Sequence, residues 1–408
     1  MKDVKSIVAT AILGATLSTA SWASTLVINS DASDPAPKEA WAEIIHRFEQ
    51  ANPDITVKYN LYDHEAYKTT IRNWLVTSPP DVVFWYAGNR MKTFVDRGLF
   101  EDVSDIWQAE GMYDDFSSAK PAMTINDKQY GVPYTYYQWG IYYRKDIFAK
   151  YDLEAPKTWD ELLNVSATLK ANQVTPFTIG TKYLWTAAGW FDYMNLRTNG
   201  LDFHIDLMDG KVAYNDDRVK KTFANWAQLI EPGYFLDSHA SYSWQEAQPF
   251  LYNGKAAMYL MGNFITPNFP DNVKDDMGFF QFPVIDANVA LAEDAPMDTI
   301  HIPAKAKNKA DARKFLAFVA QAENQQLINE MMMQIPTNNK AKVKDDVFLN
   351  TGVEMLNTAQ GTAQFYDRDT DPAMAKEGMK GFQQFMVHPD RIDKILDQLE
   401  KTRKRTFK

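Results

Sequence analysis

Residues 129–143 read QYGVPYTYYQWGIYY, and seven of these fifteen residues are Tyr or Trp. Such residues favour extended backbone, so the stretch predicts a strand. Side chains alternate between the two faces of a strand, which would place Tyr134 and Tyr136 on one face and Tyr137 and Trp139 on the other. Phenol and indole rings suit a surface that is partly apolar and partly wet. We expect this strand to cross between two lobes and to line the cleft between them; an aromatic core strand with buried hydroxyls is the alternative.

The composition is that of a globular protein with two lobes. The chain has 408 residues, of which 45% are hydrophobic and 24% are charged. This length exceeds one typical hydrophobic core, so two lobes are expected. The formal net charge of -10 disfavours non-specific binding to nucleic acids or to anionic membranes. We therefore expect no nucleic-acid partner.

The N-terminus has the pattern of a secretory signal peptide. Lys2 and Lys5 precede an apolar stretch over residues 7–17, and Ser21 and Ala23 offer the small residues that signal peptidase reads. We expect cleavage near Ala23, and the apolar run is too short for the roughly 20 residues of a membrane span. The absence of cysteine excludes disulfides, thiolate metal ligands and a lipid on an N-terminal Cys. These features predict a periplasmic protein that is not itself inserted in the membrane.

Helix and strand patterns alternate along the chain. Trp41, Ile44 and Phe48 lie on one helical face, and residues 81–86 form a strongly apolar strand. The alternation resumes after residue 143, where residues 158–161 form a capping box. A second crossing strand is expected over residues 279–284. The pattern predicts an α/β fold in which mainly parallel sheets are flanked by helices.

The sequence contains no motif for a metal, a nucleotide or a nucleophilic serine. The six histidines are scattered without metal-ligand spacing, so no metal and no cofactor is expected. No Gly-x-Ser-x-Gly elbow occurs. A glycosidase needs only two suitably separated carboxylates, so an exported glycosidase stays open as an alternative. Arg368 stands between Asp367 and Asp369 and would keep a neighbouring carboxylate ionised, which makes a poor general acid.

Aromatic and polar side chains recur where predicted strands end. Ligands of parallel α/β sheets bind beyond the carboxyl ends of the strands. A sugar ring offers flat C–H faces for aromatic stacking and hydroxyls for polar groups, and ligand pockets combine apolar walls with a few aimed polar groups. These positions therefore predict a carbohydrate site. The residues are Asp31, Trp85, Tyr86, Asn89, Arg90, Asn263 and Phe264, with Trp185 at the start of a helix.

Several short motifs give the chain a family resemblance when their order and spacing are taken together. In one-letter code the motifs are PDVVFW at 80–85, YGVPY at 130–134, YRKDIF at 143–148, PKTWDEL at 156–162, NGKAAM at 253–258 and IPT at 335–337. With these motifs the chain resembles the extracellular solute-binding proteins of carbohydrate ABC importers, the group that includes maltose-binding protein. The resemblance implies two α/β lobes joined by crossing hinge strands, a cleft that closes on the solute, and no enzymatic activity. It also implies that the closed form docks on a membrane permease.

The resemblance also implies lobe boundaries. A signal peptide at 1–23 would precede lobe one at 24–133 and 290–325, and lobe two at 134–289 and 326–408.

The same resemblance implies positions for the ligand groups. It points to the strand ends listed above, to Tyr136 and Tyr137 on the crossing strand, and to Asp298 and Arg368 in late loops. Maltose-type members have an acidic residue where Tyr137 stands, which leaves the sugar open. We expect a monomeric periplasmic receptor for a sugar or short oligosaccharide. The same fold holding a polyamine or quaternary amine by cation–π attraction is the alternative.

Overall fold

The computed structural model describes residues 24–408, so the predicted signal peptide over residues 1–23 lies outside the described residues. Within residues 24–408, no helix combines the length and the apolar character needed to cross a membrane. The strands are β1 Ser24–Ser30, β2 Ile55–Leu61, β3 Val82–Tyr86, β4 Thr124–Ile125, β5 Lys128–Gln129, β6 Val132–Tyr136, β7 Trp139–Arg144, β8 Thr175–Phe177, β9 Ala256–Gly262, β10 Met277–Phe280, β11 Glu293–Asp294, β12 Met297–His301 and β13 Thr362–Ala363.

Helices surround these strands. They are α1 Pro35–Ala51, α2 His64–Thr77, α3 Asn89–Val95, α4 Ser104–Ala109, α5 Met112–Asp115, α6 Lys120–Met123, α7 Lys145–Lys150, α8 Trp159–Ala171, α9 Trp185–Asn199, α10 Leu201–Met208, α11 Asp217–Ile230, α12 Trp244–Tyr252, α13 Lys309–Ala320, α14 Ala322–Met332, α15 Val347–Thr358, α16 Tyr366–Asp369, α17 Pro372–Val387 and α18 Ile392–Thr406. Short 3₁₀ helices span His239–Ser241, Asn263–Asn268, Lys274–Asp276 and Pro389–Arg391.

The first lobe is built on a five-stranded sheet in the order β2-β1-β3-β12-β6. Strand β1 pairs in parallel with β2 and β3, whereas β12 is antiparallel to both β3 and β6. Helix α1 buries its apolar face on this sheet, and the Trp41 ring meets Phe84 and Tyr134 edge-on at 4.5 and 4.9 Å. The predicted helical face of α1 is thereby observed as part of one continuous core.

The second lobe is built on a four-stranded sheet in the order β10-β7-β9-β8. Only β8 and β9 pair in parallel; β7 is antiparallel to β9 and to β10. Both sheets are therefore mixed, although the sequence predicts mainly parallel sheets. In the first sheet the reason is that β6 takes the chain out of the lobe and β12 brings it back, so these neighbours run in opposite directions.

The aromatic stretch at residues 129–143 does cross between the lobes, but it does so as two strands. Strand β6 belongs to the first sheet and β7 to the second, and the chain changes direction at Tyr137 and Gln138. The Gln138 side chain donates to the backbone oxygen of Phe348 at 3.0 Å, which fixes the junction. The crossing strand expected over residues 279–284 is not observed, because β10 is an edge strand of the second sheet; the return crossing leads through residues 295–297 into β12.

The contacts of two segments differ from the lobe boundaries that the resemblance implies. Ile328 and Met332 of α14 are buried in the core of the first lobe, and Gln325 Nε2 donates to the backbone oxygen of Pro133 at 3.0 Å. A boundary at residue 325 would divide this helix. Strand β11 instead pairs with β13 of the second lobe, so residues 290–295 pack there rather than with lobe one.

Candidate functional site

A cavity of about 410 Å³ opens between the two lobes. This volume lies in the range of small-molecule binding sites. Eight of the twelve residues predicted as ligand-binding line it, although they come from distant parts of the sequence. They are Asp31, Trp85, Tyr86, Tyr137, Trp185, Phe264, Asp298 and Arg368.

One side of the cavity is a cluster of rings, which we call the aromatic wall. Phe264 stands at its centre, 5.1 Å from Tyr137 and 5.2 Å from Trp244 between ring centroids, with both contacts edge-to-face. Trp185 lies 6.2 Å from Phe264, and both of these rings remain partly exposed toward the cavity. A flat apolar surface of this kind can stack against the C–H face of a ring-shaped ligand. The aromatic wall consists of Tyr137, Trp139, Trp185, Trp244, Phe264 and Phe365.

Local structure fixes the aromatic wall in place. Phe264 follows the end of β9, where a Cβ on Gly262 would collide with the Phe264 ring; glycine is therefore needed at this close approach. Trp244 is the first residue of α12, whose start is fixed by the reciprocal capping box of Ser243 and Glu246. Helix starts and strand ends thus present the rings at one edge of the second lobe.

The opposite side is polar and comes from the first lobe. We call Asp31, Asp34, His64, Tyr86 and Asp298 the polar wall. Asp31 and Asp34 follow β1, His64 begins α2, Tyr86 ends β3, and Asp298 lies on β12. Because β1, β3 and β12 are neighbours in one sheet, their side chains meet at one edge.

Arg368 lies between the two walls. Its Nη1 donates to Asp298 Oδ1 at 2.9 Å, its Nη2 donates to the Tyr137 hydroxyl at 2.8 Å, and its guanidinium carbon stacks 4.0 Å above the Tyr86 ring. A planar guanidinium combines stacking with directed hydrogen bonds, which a lysine does not do. Arg368 therefore fixes residues of both walls in one arrangement.

The carboxylates of the polar wall differ in their pKa values. Burial opposes ionisation of Asp31, but the hydrogen bond and charge of His64 hold the pKa of Asp31 below its ordinary value. His64 Nδ1 lies 3.1 Å from Asp31 Oδ2. Burial raises the pKa of Asp298 to about 6, although the charge of Arg368 opposes this rise. At neutral pH both carboxylates are therefore mainly ionised and act as hydrogen-bond acceptors.

Comparison with known proteins explains this architecture. Residues 30–326 match the sequence model of the bacterial extracellular solute-binding protein family. The chain belongs to this family. An ABC transporter extracellular-binding protein of Pyrococcus horikoshii is 30% identical over 313 residues, which cover 74% of this chain and 69% of the relative. A multiple sugar-binding protein of Streptococcus mutans is 26% identical over 312 residues, covering 70% of this chain and 68% of the relative.

Solved structures confirm the two-lobed fold. The bacterial solute receptor AcbH, described as having an exclusive preference for β-D-galactopyranose, is 28% identical with a TM-score of 0.88. The match covers 95% of this chain and 100% of that one. The family and the two-lobed α/β architecture predicted from the sequence are thus both confirmed.

Two of the predicted residues in this solute-binding protein lie beside the cavity and join the lobes. Asn89 donates from Nδ2 to the backbone oxygen of Asp369, and Arg90 Nη2 lies 3.1 Å from Asp367 Oδ2. Arg90 thus reaches from the first lobe to the second, while Arg368 reaches from the second to Asp298 of the first. The two arginines thus form reciprocal contacts between the lobes.

Tyr136 and Asn263 also lie outside the cavity lining. The backbone of Tyr136 pairs with Ile335. Asn263 is fully buried, accepts a hydrogen bond from the Tyr142 hydroxyl at 2.7 Å and donates to the backbone oxygen of Met333. Asn263 therefore fixes the turn that presents Phe264.

Several lining residues were absent from the sequence prediction. Trp244 lies within the capping box of Ser243 and Glu246, and His64 begins the helix after β2, so the helix-start signal used for Trp185 would have found both. Phe365 carries no such signal, because only the folded structure places it against Trp185. Trp139 shares the predicted strand face of Tyr137, which was expected to line the cleft, but it was not named as a ligand-binding residue. Among residues 24–408, no three His, Cys, Asp or Glu side chains are grouped so that they could hold a metal ion.

Proposed function

We propose that this protein is the periplasmic receptor of an ABC importer and binds a sugar or short oligosaccharide between the aromatic wall and the polar wall. One observation carries the proposal: a single inter-lobe cavity presents flat rings on one side and ionised carboxylates on the other. A pyranose matches both surfaces, because it has apolar C–H faces and a girdle of hydroxyls. The sugar-binding relatives named above support the same class of ligand.

Each wall has a defined task in this proposal. Trp185 and Phe264 stack against the ring, while Asp31 and Asp298 accept hydrogen bonds from its hydroxyls. A ligand held by both lobes stabilises the closed form by the difference between its affinities for the closed and open states. The closed form would then be the one that the membrane permease recognises.

The protein would release its sugar unchanged rather than hydrolyse it. Hydrolysis requires one carboxyl group that is protonated to act as the general acid and a second that is ionised. Asp31 is held ionised, and Asp298 is mainly ionised near neutral pH and contacts Arg368. The ion pair with Arg368 engages one oxygen of Asp298 and favours its ionised form, which suits hydroxyl recognition.

A thermal-shift screen of the mature chain against a sugar library tests the proposal. A sugar present at 100 times its Kd stabilises the folded protein by about 2.7 kcal/mol and raises Tm. The Trp185→Ala variant should lose the response to the same sugar. Stabilisation by spermidine or betaine with no response to any sugar would contradict the proposal, and so would the appearance of hydrolysis products after prolonged incubation.

The proposed location and monomeric state have their own tests. Mass spectrometry of protein from the periplasmic fraction should give a chain that begins at Ser24. Light scattering during gel filtration should give the mass of one mature chain, with and without the sugar. A retained N-terminal segment or a stable dimer would contradict these two points.

A further inference from the structure

The cavity lining is acidic, and this charge bears on which sugars the proposed receptor selects. Seven carboxylates line the cavity, against three Lys and Arg side chains. Each of the three cations already has an acidic partner in the lining: Arg368 contacts Asp298 at 2.9 Å, Lys68 contacts Glu65 at 3.0 Å and Lys182 lies 3.8 Å from Glu246. An anionic ligand would meet no cation that is free of a partner.

Hydrogen-bond donors of the polar wall are also engaged. His64 faces Asp31 through Nδ1, and the Tyr86 hydroxyl donates to Asp31 Oδ2 at 3.4 Å. The polar wall has more acceptors than donors. The bonds described above use Asp31 Oδ2 and Asp298 Oδ1, and no other residue among 24–408 donates to the second oxygen of either carboxylate. Asp34 accepts a single long bond of 3.5 Å from Gln245 across the mouth of the cavity. The polar wall therefore requires donors from its ligand.

The aromatic wall independently favours a positively charged ligand. Aromatic faces attract cations through their quadrupole, most strongly for Trp. Trp185 and Phe264 are the rings with partial exposure, and they lie in the same cavity as the free carboxylate oxygens. A positive charge on the ligand would be stabilised from both sides.

We propose that the cleft selects its sugar by charge, binding an amino sugar in its protonated form more tightly than the matching neutral sugar and excluding uronates and sugar phosphates. This inference rests on the proposed function, because it names the class of sugar for the same site. An ammonium in place of a hydroxyl converts a neutral hydrogen bond to a carboxylate into a charge-assisted pair. A carboxylate at the same carbon meets like charge and unpaired acceptors.

Matched trios of probes test the inference. Glucose, galactose and mannose are each compared with their 6-amino-6-deoxy form and their uronate, which carry opposite charges at the same carbon. Calorimetry at pH 7 and low salt should show, in every trio that binds, an amino form about tenfold tighter than the neutral sugar and a uronate at least tenfold weaker. Raising the salt concentration should reduce both differences.

The outcomes separate the inference from the proposed function. An amino form that binds no tighter than the neutral sugar, or a uronate that binds as tightly, overturns the inference while leaving a sugar receptor in place. Failure of every trio and of every mono- and oligosaccharide in the sugar library to bind overturns the proposed function, and the inference falls with it.

A pair of variants locates the effect in the cavity. Asp298→Asn should reduce the preference for the amino form by at least threefold relative to the wild-type protein. Asp397→Asn removes one carboxylate from the exposed surface of α18 and should leave the preference unchanged. Equal losses in both variants would show that the preference comes from overall charge, which contradicts selection by the polar wall.

Discussion

The two walls of the cleft are built from different chemistry and in different ways. The polar wall comes from neighbouring strand ends of one sheet, and its carboxylates are held by Arg368 and His64. The aromatic wall is assembled from residues of the chain crossing, from helix starts and from the turn after β9. Stacking supplies affinity with little regard to which sugar is bound, whereas directed hydrogen bonds distinguish one hydroxyl pattern from another. The comparison predicts that damage to each wall has a different signature.

The largest expected effect is on folding and comes from the residue that joins the walls. Arg368→Met leaves the partly buried Asp298 without its cation and should lower the free energy of unfolding by about 3 kcal/mol, the lower end of the range for buried pairs. Urea denaturation of the ligand-free protein measures this change. The double variant Arg368→Met with Asp298→Asn should recover part of the loss, because the uncompensated charge is gone. A loss below about 1 kcal/mol in the single variant would mean that Arg368 is not the link between the walls.

Removing the aromatic surface should mainly weaken affinity. Trp185→Ala deletes a partly exposed ring of the aromatic wall, and we expect Kd for the best sugar to rise about 100-fold, or about 2.7 kcal/mol. Trp185→Phe keeps a flat ring and should retain most of the affinity. Calorimetric titration of both variants checks this. If the Ala variant binds the sugar as tightly as the Phe variant, the proposed stacking of Trp185 on the sugar ring is contradicted.

Acid should weaken the polar wall and leave the aromatic wall unaffected. Ionised Asp298 offers two charged oxygens as hydrogen-bond acceptors, whereas the protonated acid keeps less and weaker acceptor capacity, and burial raises its pKa to about 6. The protein should therefore bind the sugar with its full affinity above this pKa and more weakly as the pH falls through it. We expect Kd to be about tenfold higher at pH 5 than at pH 7.5. The Asp298→Asn variant should bind weakly and should lack this part of the pH dependence, although Asp31 and His64 face the same region. A wild-type affinity that is constant over this range contradicts the role of Asp298.

The smallest effects separate two adjacent tyrosines. Tyr137 lines the cavity, and its hydroxyl accepts from Arg368, whereas Tyr136 lies outside the lining. Tyr137→Phe should raise Kd by about three- to tenfold, because Arg368 loses a hydrogen-bond partner that orients its guanidinium group in the cavity. Tyr136→Phe should change Kd by less than twofold. Equal changes in Kd at the two positions would contradict the assignment of Tyr137, but not Tyr136, to the cavity lining.

Much of this architecture could be predicted from the sequence because local rules decide it. The face of α1, the capping boxes at 158–161 and 243–246, and the strand ends at Asp31 and Trp85 all follow from periodicity or from hydrogen-bonding chemistry at chain ends. Chain length predicted the two lobes, and family resemblance added the late residues Asp298 and Arg368 as ligand-binding positions, which no local pattern indicates.

The remainder depended on tertiary contacts. Asn89 and Asn263 are polar residues at or just beyond strand ends, as the ligand-binding rule requires, yet both are used to join segments of the protein. Phe365 reaches the aromatic wall only because the fold brings residue 365 beside Trp139, at 4.8 Å between ring centroids. Sequence position alone does not separate a residue that touches the cavity from one that supports it.

The central claim is that a sugar is held between the two walls and draws them together. Because the chain contains no cysteine, spin labels can be attached at Lys38→Cys and Ser241→Cys, exposed positions beside Pro37 and Ser243 on opposite sides of the cavity mouth. Pulsed electron resonance measures the distance between the labels. We predict a shorter and narrower distribution at a sugar concentration about ten times the wild-type Kd, and little change in Trp185→Ala at the same concentration, because its Kd is expected to be about 100-fold higher. An unchanged distribution in the wild-type background at saturation would contradict closure of the two walls on the sugar.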